Sequence, residues 1–382
     1  MPRTTGRYAV TTTLGEAVRA FVPRPLPPAE PPLAKECFSD LNRQAEMALA
    51  RLAGVSGLAP SVDWLLYSAI RKEALLTSQI EGTQATLTDL FDKEAGLKIH
   101  NADDVQEVTN YLRAFRWVQA QLHDPQGLPI SVRLLCQAHG LLLDGVRGAG
   151  KQPGQLRRSQ NWIGGTRPGN AAFVPPPPDE VAELLGALEH FIHQPHPELP
   201  PLVNIALVHA QFETIHPFLD GNGRIGRLLI AALLQAWGLL QEPLMYLSGY
   251  LKQHQGEYYR RLSAIRSHGD WEAWVQFFLE GVASAASQAE GNIIQTASLI
   301  AADRKHLLQQ PKASPLSYRL FELLPMMPRF TAEHVRQQLQ TTFPTASAAI
   351  RSLQDAGIVT ELTGQKKNRI YSYQAYVELL SR

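Results

Sequence analysis

Residues 216–227 read His216-Pro217-Phe218-Leu219-Asp220-Gly221-Asn222-Gly223-Arg224-Ile225-Gly226-Arg227, and no other stretch of the chain is as dense in chemistry. It combines a base, a carboxylate, a Gly-Asn-Gly turn and two arginines, directly before an apolar helical run at residues 228–234. Gly221 and Gly223 let backbone N–H groups converge, and a helix starting near Arg224 adds its positive dipole end at the same place. Arg224 and Arg227 stand at i and i+3 on one helix face and offer planar donors to phosphate oxygens. Asp220 suits a divalent cation bridging such phosphates. His216 is the one side chain here that titrates near neutrality, so it is the natural general base.

Other readings of this stretch are weaker. Gly221, Gly223 and Gly226 satisfy G-x-G-x-x-G, but a dinucleotide fold needs a buried strand before the glycines, and Phe212-Glu-Thr-Ile-His-Pro is not one. Glu242 follows at a tolerable distance, but behind a long helix rather than a second strand. His209, seven residues before His216, reads as a core histidine rather than a metal ligand, because two helical turns separate the pair.

Outward from the motif, residues 180–193, 201–214, 224–240 and 256–285 carry helical patterns, and 228–240 is apolar nearly all round, which predicts a buried central helix. Residues 34–95 are helical in pattern, most strongly from Ser61 to Ile80. An amphipathic helix runs from Asp103 to Leu122, with Asp103 or Asp104 as its cap. Residues 145–178 are rich in glycine, and Asn161-Trp162-Ile163 before Gly164-Gly165, with Phe173-Val174 after, predicts a small β-hairpin. Residues 21–33 are proline-dense and read as an extended arm. Three helical patterns and two short β-like runs in 312–382 suggest a winged helix-turn-helix.

The composition sets bounds. The 382 residues carry 45% hydrophobic and 19% charged side chains and a net charge of +1. That balance excludes a strongly basic nucleic-acid coat protein and an acidic disordered tail. Residues 312–382 hold 9 Lys and Arg against 5 Asp and Glu, which leaves the other 311 residues at −3. Two cysteines, Cys37 and Cys136, cannot form a disulfide framework or a cysteine-only zinc site. With no apolar signal core and no long apolar run, a cytoplasmic protein without a membrane segment is expected.

The 216–227 run resembles the Fic family signature H-x-F-x-[DE]-G-N-G-R-x-x-R at every specified position. Gly154-Gln-Leu-Arg-Arg-Ser-Gln-Asn-Trp-Ile-Gly-Gly165 and Phe173-Val-Pro-Pro are similar to that family's flap; Tyr246-Leu-Ser and Glu257-Tyr-Tyr259 are similar to the region closing over adenine. The resemblance implies a mainly α fold: a Fic-type helical bundle with a β-hairpin flap, plus a small α+β winged helix-turn-helix domain. The expected divisions are an extended Pro-rich arm (1–33), an amino-terminal helical segment with an inhibitory motif (34–100), the catalytic domain (101–290), a linker helix (291–311) and the winged helix (312–382).

The activity implied is transfer of AMP from ATP to a protein hydroxyl. His216 would be the catalytic base. Gly221, Asn222, Gly223, Arg224, Gly226 and Arg227 would hold the nucleotide with Ile163, Gly164, Tyr258 and Glu81. Asp220 would hold Mg²⁺ or Mn²⁺. Gly223 separates this chain from a phosphorylating toxin branch that carries Lys there. Thr77-Ser78-Gln79-Ile80-Glu81-Gly82 resembles the family's inhibitory motif [S/T]-x-x-x-E-[G/N], which implies that Thr77, Glu81 and Gly82 form a brake in which Glu81 pairs with Arg227. Glu81 would also serve a water that removes AMP. The implied partners are ATP and a target protein presented at the flap; a homodimer and DNA stay open. The competing class is a DNA-binding regulator whose nucleotide site senses ATP without transferring AMP.

Overall fold

The computed structural model describes residues 3–55, 57, 61–311 and 313–381. Residues 1–2, 56, 58–60, 312 and 382, which fall in the expected arm, amino-terminal helical segment and winged-helix unit, lie outside the described residues. The fold is mainly helical, with two small sheets.

At the centre stand α7 (Pro201–Ile215) and α8 (Asn222–Ala236). The 228–240 pattern predicted one central helix; the structure stops α8 at Ala236, where Gly238 takes a left-handed φ of 71°, and makes α7 the more buried, with every residue from Leu202 to Ile215 inside. Trp274, on α11 (Trp271–Leu308), covers α7 and donates its indole N–H to Ala206 O at 2.9 Å. On its other side α11 receives α1 (Ser39–Val55), whose Ala45, Ala48, Leu49 and Leu52 form the buried stripe.

α2 (Val62–Ile80) and α4 (Ala102–His123) flank α8, and α5 (Val132–Leu142) packs on α4. Ser61 caps α2, its hydroxyl accepting from Asp63 N. Thr86 and Asp89 form a reciprocal capping box for α3 (Leu87–Glu94). The cap expected of Asp103 or Asp104 is not made: α4 starts at Ala102 with Asn101 in the cap position, and both acids lie in the first turn, where the helix dipole favours them.

Gly269, with φ 71°, divides the expected 256–285 helix into α10 (Gln255–His268) and the start of α11. The expected linker helix at 291–311 is the second half of α11, because nothing between Trp271 and Leu308 stops the helix. At 38 residues it is about 57 Å long.

The amino-terminal residues are not simply an extended arm. β1 (Gly6–Thr13) and β2 (Glu16–Pro23) pair antiparallel around Leu14 and Gly15, both at positive φ. Tyr8, Val10 and Thr12 lie across from residues of a second alternating run, a period-two pattern that proline density obscured. The expected flap hairpin is reduced to one bridge, Ile163 with Phe173, since Gly164 and Gly165 turn left-handed immediately after it. β2 extends it: Phe21 N donates to Val174 O at 2.9 Å, while Glu16 accepts from Arg167 at 2.8 Å and from Gly169 N at 3.0 Å.

The carboxy-terminal unit runs α12 (Pro315–Leu323), β3 (Arg329–Thr331), α13 (Ala332–Gln338), α14 (Phe343–Asp355), β4 (Thr360–Glu361), β5 (Ile370–Ser372) and α15 (Gln374–Ser381), with sheet order β3-β5-β4. β3 was absent from the sequence reading. The unit is held to the rest by Arg329–Asp92 at 2.8 Å and by Tyr373 Oη donating to Asp303 at 2.5 Å.

Candidate active site

α7 ends on His216, which takes a left-handed conformation, φ 51° and ψ 61°, rare for a residue with a Cβ. Its N–H still closes the helix on Phe212 O at 2.9 Å. The corner is held by Arg157, almost wholly buried, whose guanidinium donates to His216 O at 2.9 Å, to Pro176 O at 2.6 Å and to Ile215 O at 3.4 Å. Arg157 thus positions the imidazole by gripping the main chain. Replacing it strands buried carbonyls, each costing about 1–3 kcal/mol. Arg157→Met is expected to lose about 3 kcal/mol of unfolding free energy; urea unfolding that matches the parent chain would contradict this.

The next residues fold back. Asn222 accepts from Phe218 N and donates to Phe218 O, both at 2.8 Å, so its side chain shapes the loop instead of facing a ligand. Gly221, at φ 76°, gives its N–H to Asp220 Oδ1 at 2.6 Å, so that donor is not aimed into an anion hole. His139, on α5, was missed by the sequence reading. Gly154 N donates to its Nδ1 at 2.9 Å, which fixes Nε2–H as donor to Asp220 O at 3.0 Å, and its ring stacks on Phe218 at 3.9 Å. Asp220 Oδ2 faces Gly148, where a Cβ would stand 2.8 Å away.

The first two turns of α8 bring up both arginines. Arg227 donates Nε to Thr77 Oγ1 at 2.6 Å, and Nη2 to Thr77 O at 3.1 Å and to Glu81 Oε1 at 2.6 Å. Burial alone would raise the Glu81 carboxyl, but the charge of Arg227, with Arg224 and His216 adding, holds it below the usual range. A Cβ at Gly223 would lie 2.4 Å from Glu81 Oε1, so a side chain there would push the carboxylate from its place on Arg227. Arg224 is satisfied less well. It reaches Glu107 Oε2 at 3.5 Å and Asp220 Oδ1 at 3.6 Å, and its buried Nε has no partner. Two buried guanidinium groups converge at one helix N-terminus, one saturated by an internal acid and one held loosely.

Residues 39–119 match the family described as Fic/DOC family N-terminal, and residues 129–234 match the Fic/DOC family. The chain carries a Fic/DOC domain together with its amino-terminal companion. A protein adenylyltransferase Fic of Drosophila virilis is 30% identical over 208 residues, which is 53% of this chain and 39% of that protein. Its counterpart in Drosophila melanogaster is 28% identical over 208 residues, covering 53% and 38%. The chain thus spans about two fifths of the length of these curated relatives. Among solved structures, a Fic family protein from Desulfovibrio desulfuricans G20 superposes with a TM-score of 0.57 at 20% identity, over 90% of this chain and 97% of that one. Fic-1 from C. elegans gives 0.51 at 20% identity, over 69% and 76%.

Within this Fic/DOC site, burial strips water from the His216 imidazole and the Arg157 charge adds to the effect, so its pKa falls to about 4. A lowered pKa keeps the ring unprotonated, and so free to accept a proton though a weaker base than a free imidazole, at all pH values well above that. Titration of the His216 ring, followed by NMR, is therefore expected to show no protonation between about pH 6 and 8 and to begin only toward pH 4. An inflection near pH 6.5 in that profile would show an unshifted histidine.

Ile163, half exposed, and Gly164 sit at the flap bridge. Tyr258 is not open to a nucleotide. It is buried, and its hydroxyl donates to His209 Nε2 at 2.8 Å, because His209 Nδ1–H is committed to Gly226 O at 3.1 Å. The expectation of a nucleotide contact from Tyr258 is thus corrected: its ring is core, while its neighbour Tyr259 is exposed. Ser248, in the Tyr246-Leu-Ser run, donates its N–H and hydroxyl to the buried Glu73 of α2, which ties that region to the helix carrying Thr77. Gly226 lets α7 and α8 approach, since a Cβ there would stand 2.4 Å from Glu213 Oε1. Besides His139, the sequence reading missed Arg157, Glu107 and Glu213; the last is a buried acid that desolvation raises to about 7.

Among the described residues, no helix is long and apolar enough to cross a membrane, and no three His, Cys, Asp or Glu cluster as a metal site. One carboxylate with an oxygen facing a glycine-made gap still fits Mg²⁺, which takes few protein ligands when substrate phosphates supply the rest.

Proposed function

We propose that this chain transfers AMP from ATP to a Ser, Thr or Tyr hydroxyl of a protein, with its own hydroxyls among the acceptors. The observation that supports this best is a neutral His216 fixed at the C-terminal end of α7, joined by a short turn to the N-terminus of α8 that carries Arg224 and Arg227, with glycine rather than lysine at position 223.

His216 takes the proton from the attacking hydroxyl. The oxygen forms a bond to the α-phosphorus as the bond from that phosphorus to the α,β-bridging oxygen breaks, and pyrophosphate leaves. Arg224 and Arg227 hold the outer phosphates, which in-line transfer needs more than covalent help. Asp220 is the residue to hold Mg²⁺, which when bound neutralises phosphate charge. The Ile163–Phe173 bridge covers the nucleotide and offers a strand edge to the target. Glu81 occupies Arg227 and so holds the chain off; it also stands where a water could be oriented to remove AMP from a modified target.

We read the carboxy-terminal unit as a winged helix that contacts protein, a second copy of this chain included. Arg351 is the single basic residue on α14, too few for phosphate contacts, whereas Phe343 at its start is exposed.

The test is incubation of the full chain carrying Glu81→Gly with α-labelled and, separately, γ-labelled ATP. Protein label from the α-phosphate only is expected. Label from γ only would mean phosphorylation, and label from neither would favour an ATP-sensing regulator.

A further inference from the structure

Glu81 is the C-cap of α2, just past Ile80, where helices fray, and a third of its side chain is exposed. A brake there holds only if the turn after it is pinned. The pins come from α4. Gln84 N donates to Asp104 Oδ2 at 2.7 Å, and the buried Thr83 hydroxyl donates to Glu107 Oε2 at 3.1 Å. Asp104 and Glu107 are i and i+3, so one face of α4 grips both residues that follow Gly82. Arg147 closes the ring: its Nε lies 3.3 Å from Glu107 Oε1, and its Nη2 reaches Glu81 O at 3.4 Å.

Glu107 Oε2, which accepts from Thr83, is also the oxygen that faces Arg224 at 3.5 Å. Both side chains of that ion pair are almost wholly buried. One carboxylate therefore touches the turn that aims Glu81 and the arginine that Glu81 leaves for phosphate.

We infer that Glu107 is a positioning residue with two charges of work: it fixes Arg224 for the nucleotide phosphates, and through Thr83 it latches the turn that keeps Glu81 on Arg227. This rests on the AMP-transfer reading with Glu81 as brake.

The experiment uses the full chain and α-labelled ATP. Thr83→Val removes the latch hydroxyl at nearly constant shape and is expected to raise the basal rate about fivefold. In a Glu81→Gly background the same change adds nothing, because its effect passes through Glu81. Thr83→Ser, which keeps the hydroxyl, returns the rate to the parent level and controls for packing. Hydrogen exchange over residues 80–86 quickens in Thr83→Val without need of any activity. Separately, Glu107→Gln in the Glu81→Gly background raises KM for ATP about fivefold with kcat little changed, since Arg224 loses its guide.

The inference is overturned if Thr83→Val leaves both rate and exchange at the parent level, if it activates equally without Glu81, or if Glu107→Gln leaves KM unmoved. If Glu81→Gly is active while the Thr83 and Glu107 variants are silent, only the latch falls. If Glu81→Gly is no faster than the parent chain, the brake falls and the latch with it.

Discussion

Glu81→Gly is expected to raise the initial rate of AMP incorporation roughly tenfold to a hundredfold over the parent chain, the range of an intramolecular coupling of about 1–3 kcal/mol. The argument is one of occupancy. Arg227 is buried and its Nη2 is committed at 2.6 Å to Glu81 Oε1, so a phosphate oxygen must compete with that carboxylate for the guanidinium. The same oxygen lies 2.4 Å from where a Cβ of residue 223 would stand, so the acid fills space beside the α8 N-terminus as well as countering charge. Without Glu81, Arg227 keeps its bonds to the Thr77 hydroxyl and carbonyl, and its orientation survives. The fold should tolerate the change, because residue 81 is the C-cap of α2, outside the helix interior where glycine costs most. The measurement is acid-precipitable α-label against time with Mg²⁺ present. Equal rates in the two chains would remove the brake.

His216→Ala in that released chain is expected to lower transfer by about 10²–10⁴-fold while leaving ATP binding intact, since the imidazole supplies proton transfer and not phosphate contacts. The left-handed corner is the reason to expect a clean loss. Arg157 holds the main chain of residue 216 and would hold an alanine there equally, so the variant deletes a base without moving the cradle. Binding of a fluorescent ATP analogue and label incorporation, measured on one preparation, separate the two effects. A variant that transfers at the released rate would require another base, and Glu213, buried one turn earlier with an unpartnered oxygen, would be the first to test.

The parts of this site written in contiguous residues were legible in the sequence. The 216–227 run specifies its own turn, its cation pair and its base, and spacing alone put Thr77 and Glu81 on one helix face. What stayed hidden depends on partners far apart in the chain. Arg157 looks like any flap arginine until it is seen with its guanidinium on the carbonyls of residues 176, 215 and 216. Glu107 looks like a solvated helix charge until α4 is packed beside α8. His139 carries no local signal because its partners, Gly154 and Asp220, are backbone groups. Tyr258 misled in the opposite direction, since an aromatic beside a binding region reads alike whether it faces ligand or core. The amino-terminal hairpin was missed because proline density in residues 21–33 outweighed a period-two pattern beginning at Gly6.

A side chain gained at 223 would meet Glu81 Oε1, the free end of a flexible acid, and would push it off its seat on Arg227. Substitution on α8 can therefore loosen an acid carried by α2, so the glycine is a silent member of the pair, kept small to leave its neighbour undisturbed.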